Sequence, residues 1–343
     1  MDSYVGLDVS LREVSVCVVD EAGSIQCERT VAADPDVIAA LLDAHAPTVR
    51  RVGLESGPTS VWLWRELAER GLPVICIDAR HAKAALSMQI NKSDRNDAAG
   101  IARIMQTGWY RQVQVKSPHS HAIRGLLNSR ALLVKVQRDL ENQVRGLLKS
   151  VGLIIGRAKD GVFGTRTRQL LAAHADLAAI ALPLLEAREA IHLQLTRLER
   201  RVRQLAKEHK QTSAFMTVPG VGPMTALAFL ATVDDPTRFR RARAVGAYVG
   251  LTPRRYASGE VDWTGRISKC GDTMLRTYLF EAAGVLLTRV QKWCALKAWG
   301  LRLAKRSGMK KARTAVARKL AVILLRMWRD GTQFHWTAAP AAT

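Results

Sequence analysis

The stretch Val5-Gly6-Leu7-Asp8-Val9-Ser10 near the amino terminus decides the fold class. Val5, Leu7 and Val9 alternate with Gly6, Asp8 and Ser10, the period of two that marks a β-strand with one apolar face. Asp8 therefore stands on the face opposite the apolar set, a carboxylate fixed to a sheet. Outward from here, residues 14–19 read as a second strand and 25–31 as a third, joined by the turn Glu21-Ala22-Gly23-Ser24. A helix over 36–44, a strand over 51–55, a helix over 60–70 and a strand over 73–77 follow, and then a helical region. A three-strand meander continued by alternating helices and strands predicts a mixed sheet flanked by helices over residues 1–115.

That helical region opens with Asn91-Lys92-Ser93-Asp94-Arg95-Asn96-Asp97, followed by small residues. Asp94 and Asp97 are three apart, hence neighbours on one helix face. Ser93 suits the N-cap, which places both aspartates in the first turn, where the helix dipole favours negative charge. Ala98, Ala99, Gly100 and Ala102 permit close approach to a sheet. Gly100 costs about 1 kcal/mol relative to Ala inside a helix, which points to a packing reason. Glu55 ends the strand over 51–55. Taken singly, each acid reads as a surface or capping residue. Together, Asp8, Glu55, Asp94 and Asp97 form the oxygen-donor set that Mg2+ or Mn2+ takes when it acts on phosphates.

Beyond residue 115 the pattern turns to long helices. Leu126, Leu133, Leu140 and Leu147 recur every seven residues, and Ile191, Leu195, Leu198, Val202 and Leu205 follow a 4-3-4-3 spacing. Both are coiled-coil seams, and the glycines Gly156, Gly161 and Gly164 lie in a turn region between them. Such a stripe packs a helical hairpin or, if exposed along one side, joins protomers. In Val218-Pro219-Gly220-Val221-Gly222-Pro223, two glycines precede a helix, as in helix-hairpin-helix turns that bring backbone N–H groups to phosphate; an ordinary loop-to-helix junction has the same spelling. Residues 289–329 hold thirteen Lys or Arg and no acid, with Trp293, Trp299 and Trp328 interleaved. A basic helical surface with aromatic platforms fits tracking of a phosphate backbone.

Fifty-two Lys and Arg against thirty Asp and Glu give 343 residues a formal net charge of +22, which calls for a polyanionic partner, nucleic acid by default. A hydrophobic content of 48% excludes wholesale disorder. No apolar run approaches the ~20 residues that span a bilayer, and the first residues lack a secretory pattern. The five cysteines, Cys17, Cys27, Cys76, Cys270 and Cys294, are scattered without zinc spacing and read as reduced thiols. These features predict a cytoplasmic, nucleoid-associated protein with no membrane partner.

The motifs GLDVS (6–10), VGLES (52–56) and KSDRNDA (92–98) resemble the three acidic motifs of RuvC-like DEDD domains with the RNase H fold, in the spelling of the IS-one-ten family of insertion-sequence transposases, which are bridge-RNA-guided recombinases. VPGVGPMTALAFLATV (218–233), AVGAYVGLTPRRYASG (244–259) and GRISKCGDTMLRTYLFEAA (265–283) resemble that family too, so the likeness covers nearly the whole chain. It implies an α/β RNase H-like (RuvC-like) metal-binding domain at 1–115, a central helical coiled-coil hairpin at 116–210 and a mainly α C-terminal transposase domain at 211–343.

The resemblance further implies cutting and rejoining of DNA through a covalent phosphoserine. Ser258 in Tyr256-Ala257-Ser258-Gly259 matches the serine motif, with Ala257 where many relatives carry a second serine; Ser268 is the alternative. Asp8, Glu55, Asp94 and Asp97 are the implied Mg2+ (or Mn2+) ligands. Arg254, Arg255, Arg266, Lys269, Arg276, Lys310 and Lys311 are candidate nucleic-acid contacts. The implied partners are donor and target double-stranded DNA, a structured bridge RNA, and further copies of the chain as dimers assembling to a tetramer. Rival readings are a RuvC-like endonuclease with a water nucleophile and a non-catalytic nucleic-acid-binding protein. A sugar-kinase-like ATPase, weakly echoed by GLDVS, would need a later glycine-rich phosphate loop that this sequence lacks, and the basic C-terminus argues against it.

Overall fold

The computed structural model describes residues 2–87, 93–157 and 160–336, so Asn91 and Lys92 of the acidic motif lie outside the described residues. The chain divides into two compact units, Met1–Val115 and Lys116–Thr343.

The first unit begins with the expected meander: β1 (Ser3–Val9), β2 (Glu13–Val19) and β3 (Ile25–Ala32). It continues through α1 (Pro35–His45), β4 (Val49–Glu55), α2 (Ser60–Glu69), β5 (Val74–Ile77), α3 (Ala79–Leu86) and α4 (Asp94–Thr107). The strands form one sheet in the order β3-β2-β1-β4-β5, antiparallel from β3 to β1 and parallel from β1 to β5. Val5, Leu7, Val52 and Leu54 face α1 and α2, against Ile38, Leu42, Leu63 and Leu67. The other face receives α4, where Cys17 and Val19 meet Ala98 and Ala102. Side chains alternate across the pleat, so a single sheet can feed both layers.

The glycines of the central strands explain how closely α4 lies. A Cβ at Gly6 would sit 2.0 Å from the Ala98 carbonyl oxygen and 2.3 Å from the Ala102 nitrogen. At Gly53 it would meet the Met105 side chain at 2.5 Å. Helix backbone thus rests directly on strand backbone at Gly6, where no other residue fits.

The second unit contains α5 (Pro118–Ser150), α6 (Asp160–Leu171), α7 (Ala175–Glu208), α8 (Lys210–Phe215), α9 (Pro223–Val233), α10 (Ala244–Tyr248), the strands β6 (Pro253–Ser258) and β7 (Val261–Ile267), α11 (Thr273–Thr288), α12 (Ala295–Ser307) and α13 (Met309–Asp330). Helices α5 and α7 pair along their length. The buried positions on α5 are Ser120, Ile123, Leu127, Gln137, Val144 and Leu148; the members of the leucine repeat flank this line and are only half-buried. Polar residues complete the seam. Arg130 bonds Glu199 at 2.7 Å, and Arg188, 3% exposed, bonds Glu141 at 2.8 Å.

Helix α9 is buried from Thr225 to Val233 at the centre of the remaining helices. Gly220, at φ +88°, lies where a Cβ would meet the Ala282 carbonyl at 2.4 Å, so this glycine seats α11 rather than opening a phosphate cradle. Trp328 packs against Phe215 and Phe229 in the core and offers no stacking platform. Trp299 is partly buried beneath Lys319, and of the three tryptophans of the basic segment Trp293 alone is exposed. Among the described residues no helix is long and apolar enough to cross a membrane.

Candidate active site

Asp8 shares the face of Gly6, two residues back along β1, and Glu55 shares the face of Gly53 on β4. The parallel register Gly6↔Gly53 and Leu7↔Leu54 brings Asp8 and Glu55 side by side at the ends of adjacent strands. Both point toward the α4 side of the sheet. Helix α4 runs antiparallel to β1. Its last turn reaches the β2–β3 turn, where Gln106 donates to the Glu21 carbonyl at 2.8 Å, and its middle crosses Gly6. Its first turn, with Asp94 and Asp97, is consequently directed to the sheet edge that carries Asp8 and Glu55. Ser93 caps the helix as expected, its Oγ accepting from the Asn96 N–H at 3.2 Å, and Arg95 pairs with Glu28 of β3.

Asp97 is half-buried and Asp94 exposed. Among the described residues no three His, Cys, Asp or Glu side chains stand close enough to share an ion. The donor chemistry nonetheless fits a hard divalent cation, since four carboxylates from three elements border one face of one sheet edge. A fifth acid follows β5. Asp78 caps α3 and is held down at about 2 by hydrogen bonds from Arg80, which burial only partly offsets, so it is committed to the helix start.

Ser258 is the last residue of β6, paired with Val261 across the two-residue turn Gly259-Glu260. Gly259 has φ +56°, as the first position of a primed hairpin turn requires. The serine is exposed, and its hydroxyl makes no hydrogen bond among the described residues. Ser268 has a different setting. It is half-buried, its N–H bonds the Thr252 carbonyl at 2.8 Å, and its Oγ accepts from Cys270 N–H at 3.4 Å. The next residue, Lys269, has φ +55°, an uncommon conformation for a side-chain-bearing residue.

The basic candidates divide. Arg254, Arg266, Ser268 and Lys269, with Trp263, Gly265 and Ile267, line an open pocket of about 430 Å³. Arg255 is on the opposite face of the hairpin, in a bidentate pair with Asp262 at 2.5 and 2.8 Å. Arg276 is half-buried and braces the Val249 carbonyl at 3.0 Å. Lys310 and Lys311 are exposed on the first turn of α13, and eleven of the thirteen bases in 289–329 are exposed. Sequence reasoning passed over the hairpin itself, and with it Tyr256 and Trp263. The turn dipeptide Ser258-Gly259 between the strand-favouring Tyr256 and the strand-favouring Val261 and Trp263 was the signal for it.

Carboxylates at a sheet edge beside an acidic helix start, in a chain this basic, are the pattern of a protein that handles nucleic acid. Residues 5–152 match the DEDD model of IS110, described as a transposase, and residues 212–298 match the Transposase IS116/IS110/IS902 family. The transposase for insertion sequence element IS1111A of Coxiella burnetii is 32% identical, covering 93% of this chain and 87% of that protein. A Pseudomonas aeruginosa protein named "Probable family 20 transposase" is 30% identical over 94% of this chain and 95% of its own. The transposase for insertion sequence element IS1328 of Yersinia enterocolitica is 25% identical, covering 82% and 85% respectively. The chain belongs to the IS110/IS116 family of insertion-sequence transposases, enzymes that cut and rejoin DNA.

Proposed function

We propose that this transposase works through a covalent phosphoserine formed on Ser258, with Mg2+, or Mn2+ in its place, held by Asp8, Glu55, Asp94 and Asp97. The observation that carries the serine assignment is the exposure of Ser258 at the tip of a hairpin whose base lines a basic pocket. Ser268 is built into a turn, which leaves Ser258 the better placed hydroxyl. The strand order β3-β2-β1-β4-β5, with its antiparallel and parallel halves, supports an RNase H-like, RuvC-like reading of residues 1–115. Residues 116–210 serve as the helical hairpin and 211–343 as the serine-bearing transposase region.

In the step itself, Ser258 Oγ forms a bond to the phosphorus of a DNA phosphodiester while the bond from phosphorus to one deoxyribose oxygen breaks. Ser258 loses its proton and the departing oxygen gains one. One phosphodiester is exchanged for another, so rejoining by the reverse attack needs no ATP. A divalent ion, when bound, supplies positive charge against the phosphate oxygens and activates a coordinated oxygen. Arg254, Arg266 and Lys269 can hold the phosphate by charge-assisted hydrogen bonds. The reading extends to a structured guide RNA, a nucleoid location and a tetramer assembled from dimers. Selection of sites by base pairing is compatible with a chain that carries no zinc-finger or RNP signature.

The test incubates the protein with a synthetic target duplex and RNA transcribed from the flanks of its gene, followed by denaturing electrophoresis. A protein–DNA adduct that needs both Ser258 and Mg2+ is expected. Cut strands without any adduct, persisting in Ser258→Ala, would identify a water nucleophile and overturn the serine mechanism.

A further inference from the structure

The β6–β7 hairpin presents an exposed apolar ledge that packing among the described residues does not explain. Tyr256 and Trp263 are cross-strand partners, and their rings stack with centroids 6.1 Å apart and planes 25° from parallel. They are 54% and 55% exposed, and Val261, opposite Ser258, is 52% exposed. By strand alternation Tyr256, Ser258, Val261 and Trp263 share one face, with Ser258 two residues (roughly 6.6 Å) from Tyr256. Arg255 and Asp262 neutralise each other on the opposite face. Gly265 makes room for the indole, since a Cβ there would lie 2.7 Å from the Trp263 ring. Trp263 also forms one wall of the pocket lined by Arg254, Arg266 and Lys269.

An aromatic plane beside a cationic pocket matches the two halves of a nucleotide: a base with a π-face and a phosphate with charge. A paired base within a duplex has both faces covered by its neighbours. We infer that Tyr256 and Trp263 form a stacking platform for an unpaired nucleobase of the strand that Ser258 attacks, with the adjoining phosphate in the Arg254–Arg266–Lys269 pocket. The platform holds the strand locally unstacked and so positions the scissile phosphate; Tyr256 and Trp263 are positioning residues. Only the identity of the captured strand rests on the assignment of Ser258 as nucleophile. Base capture itself is read without cleavage.

Fluorescence anisotropy of the full-length protein with a labelled single-stranded oligonucleotide and with its duplex tests the idea. Stacking on one aromatic is worth about 5- to 150-fold in affinity. Trp263→Ala and Tyr256→Ala should each weaken single-strand binding by about that factor and alter duplex binding less than about threefold. Trp263→Phe, which keeps a ring, should restore most of the affinity and shows that the hairpin folds. Ser258→Ala should bind as the unaltered protein does; if it also retains cleavage, the serine mechanism fails and the platform stands. Equal single-strand affinity in Trp263→Ala and the unaltered protein overturns the inference. So does a change of oligomeric state on size exclusion with affinity intact, which would make the ledge a contact between copies of the chain.

Discussion

Replacing Gly6 by Ala tests whether the seat of α4 governs the acidic edge. The added Cβ would lie 2.0 Å from the Ala98 carbonyl oxygen and 2.3 Å from the Ala102 nitrogen. Ordinary contact needs roughly 3.4 Å, and backbone atoms cannot rotate aside, so α4 must withdraw by more than about an ångström. That withdrawal loosens Ala98, Ile101, Ala102 and Met105, all buried, and shifts the turn that carries Asp94 and Asp97. Overpacking that a side chain can relieve costs about 1–3 kcal/mol, and a backbone collision belongs at the top of that range or above it. At about 4 °C per kcal/mol for a unit of this size, the first unit should unfold roughly 12 °C lower. Gly53→Ala is the control. Its Cβ meets Met105 Cγ at 2.5 Å and Sδ at 2.8 Å, the movable end of a flexible side chain, and should cost about 1 kcal/mol. Thermal unfolding followed by circular dichroism, with DNA cleavage measured below the transition, separates the two. Gly6→Ala melting with the unaltered protein, or less destabilising than Gly53→Ala, would refute the direct seating of helix on strand.

Other consequences follow from particular residues. Asp8→Asn and Asp97→Asn should abolish strand cleavage and weaken Mg2+ binding by calorimetry, yet leave the melting temperature within about 2 °C, because neither side chain belongs to the core. Glu141→Ala removes a carboxylate bonded to the buried Arg188 and should destabilise the hairpin by about 2 kcal/mol in urea unfolding, whereas Glu141→Gln, which keeps an acceptor there, should cost less. Asp234 is partly buried, which alone would raise its pKa, but hydrogen bonds from Ser117 and Ser120 hold it below the ordinary carboxylate range. Its contribution is therefore present above the unfolded-state pKa and lost as pH falls through the lower folded value; Asp234→Asn should flatten that part of the acid-unfolding curve. Lys269→Gly relieves a positive φ and should stabilise by up to about 1 kcal/mol while lowering the salt dependence of DNA binding by about one phosphate contact.

Much of the first unit was legible because its signals are local. The alternation around Asp8, the turn at Glu21-Ala22-Gly23-Ser24 and the cap at Ser93 each lie within a few residues, and the structure places β1, β2, β3 and α4 on them. The helical seam was legible in period but not in phase. Its buried line runs through Gln137 and Arg188, which look like surface residues until the partner helix supplies Glu141 for the arginine. Ion pairs between residues 47 apart leave no trace in a periodicity. The role of Gly220 was hidden for the same reason, since the carbonyl it must avoid belongs to Ala282. Trp328 was ambiguous in sequence because a tryptophan among arginines suits either a platform or a core; only its neighbours Phe215 and Phe229 decide.

The charge and the chemistry answer one another once the surfaces are separated. Helix α13 buries Ala312, Val316, Leu320 and Leu324 and turns Lys310, Lys311, Arg318, Lys319 and Arg326 outward. Lys319 covers Trp299 and the Arg318 stem lies over Gly246, but at Lys310, Lys311 and Arg326 neutral polar residues would serve the fold as well, so the charge there has another use. Several acids of this unit are drawn into pairs, such as Glu141 with Arg188, Glu199 with Arg130 and Asp272 with Arg124. Bases far outnumber acids here, so the unit stays strongly positive after this pairing. Self-repulsion of that excess disfavours the compact state, and a polyanion relieves it. A protein built in this way binds DNA wherever it meets it, and the phosphate charge sets the affinity. Affinity alone therefore cannot choose where to cut. On the β6–β7 hairpin the uncharged feature suited to respond to a strand's local state is the stacked pair Tyr256 and Trp263, because the bases inside a paired duplex have both faces covered.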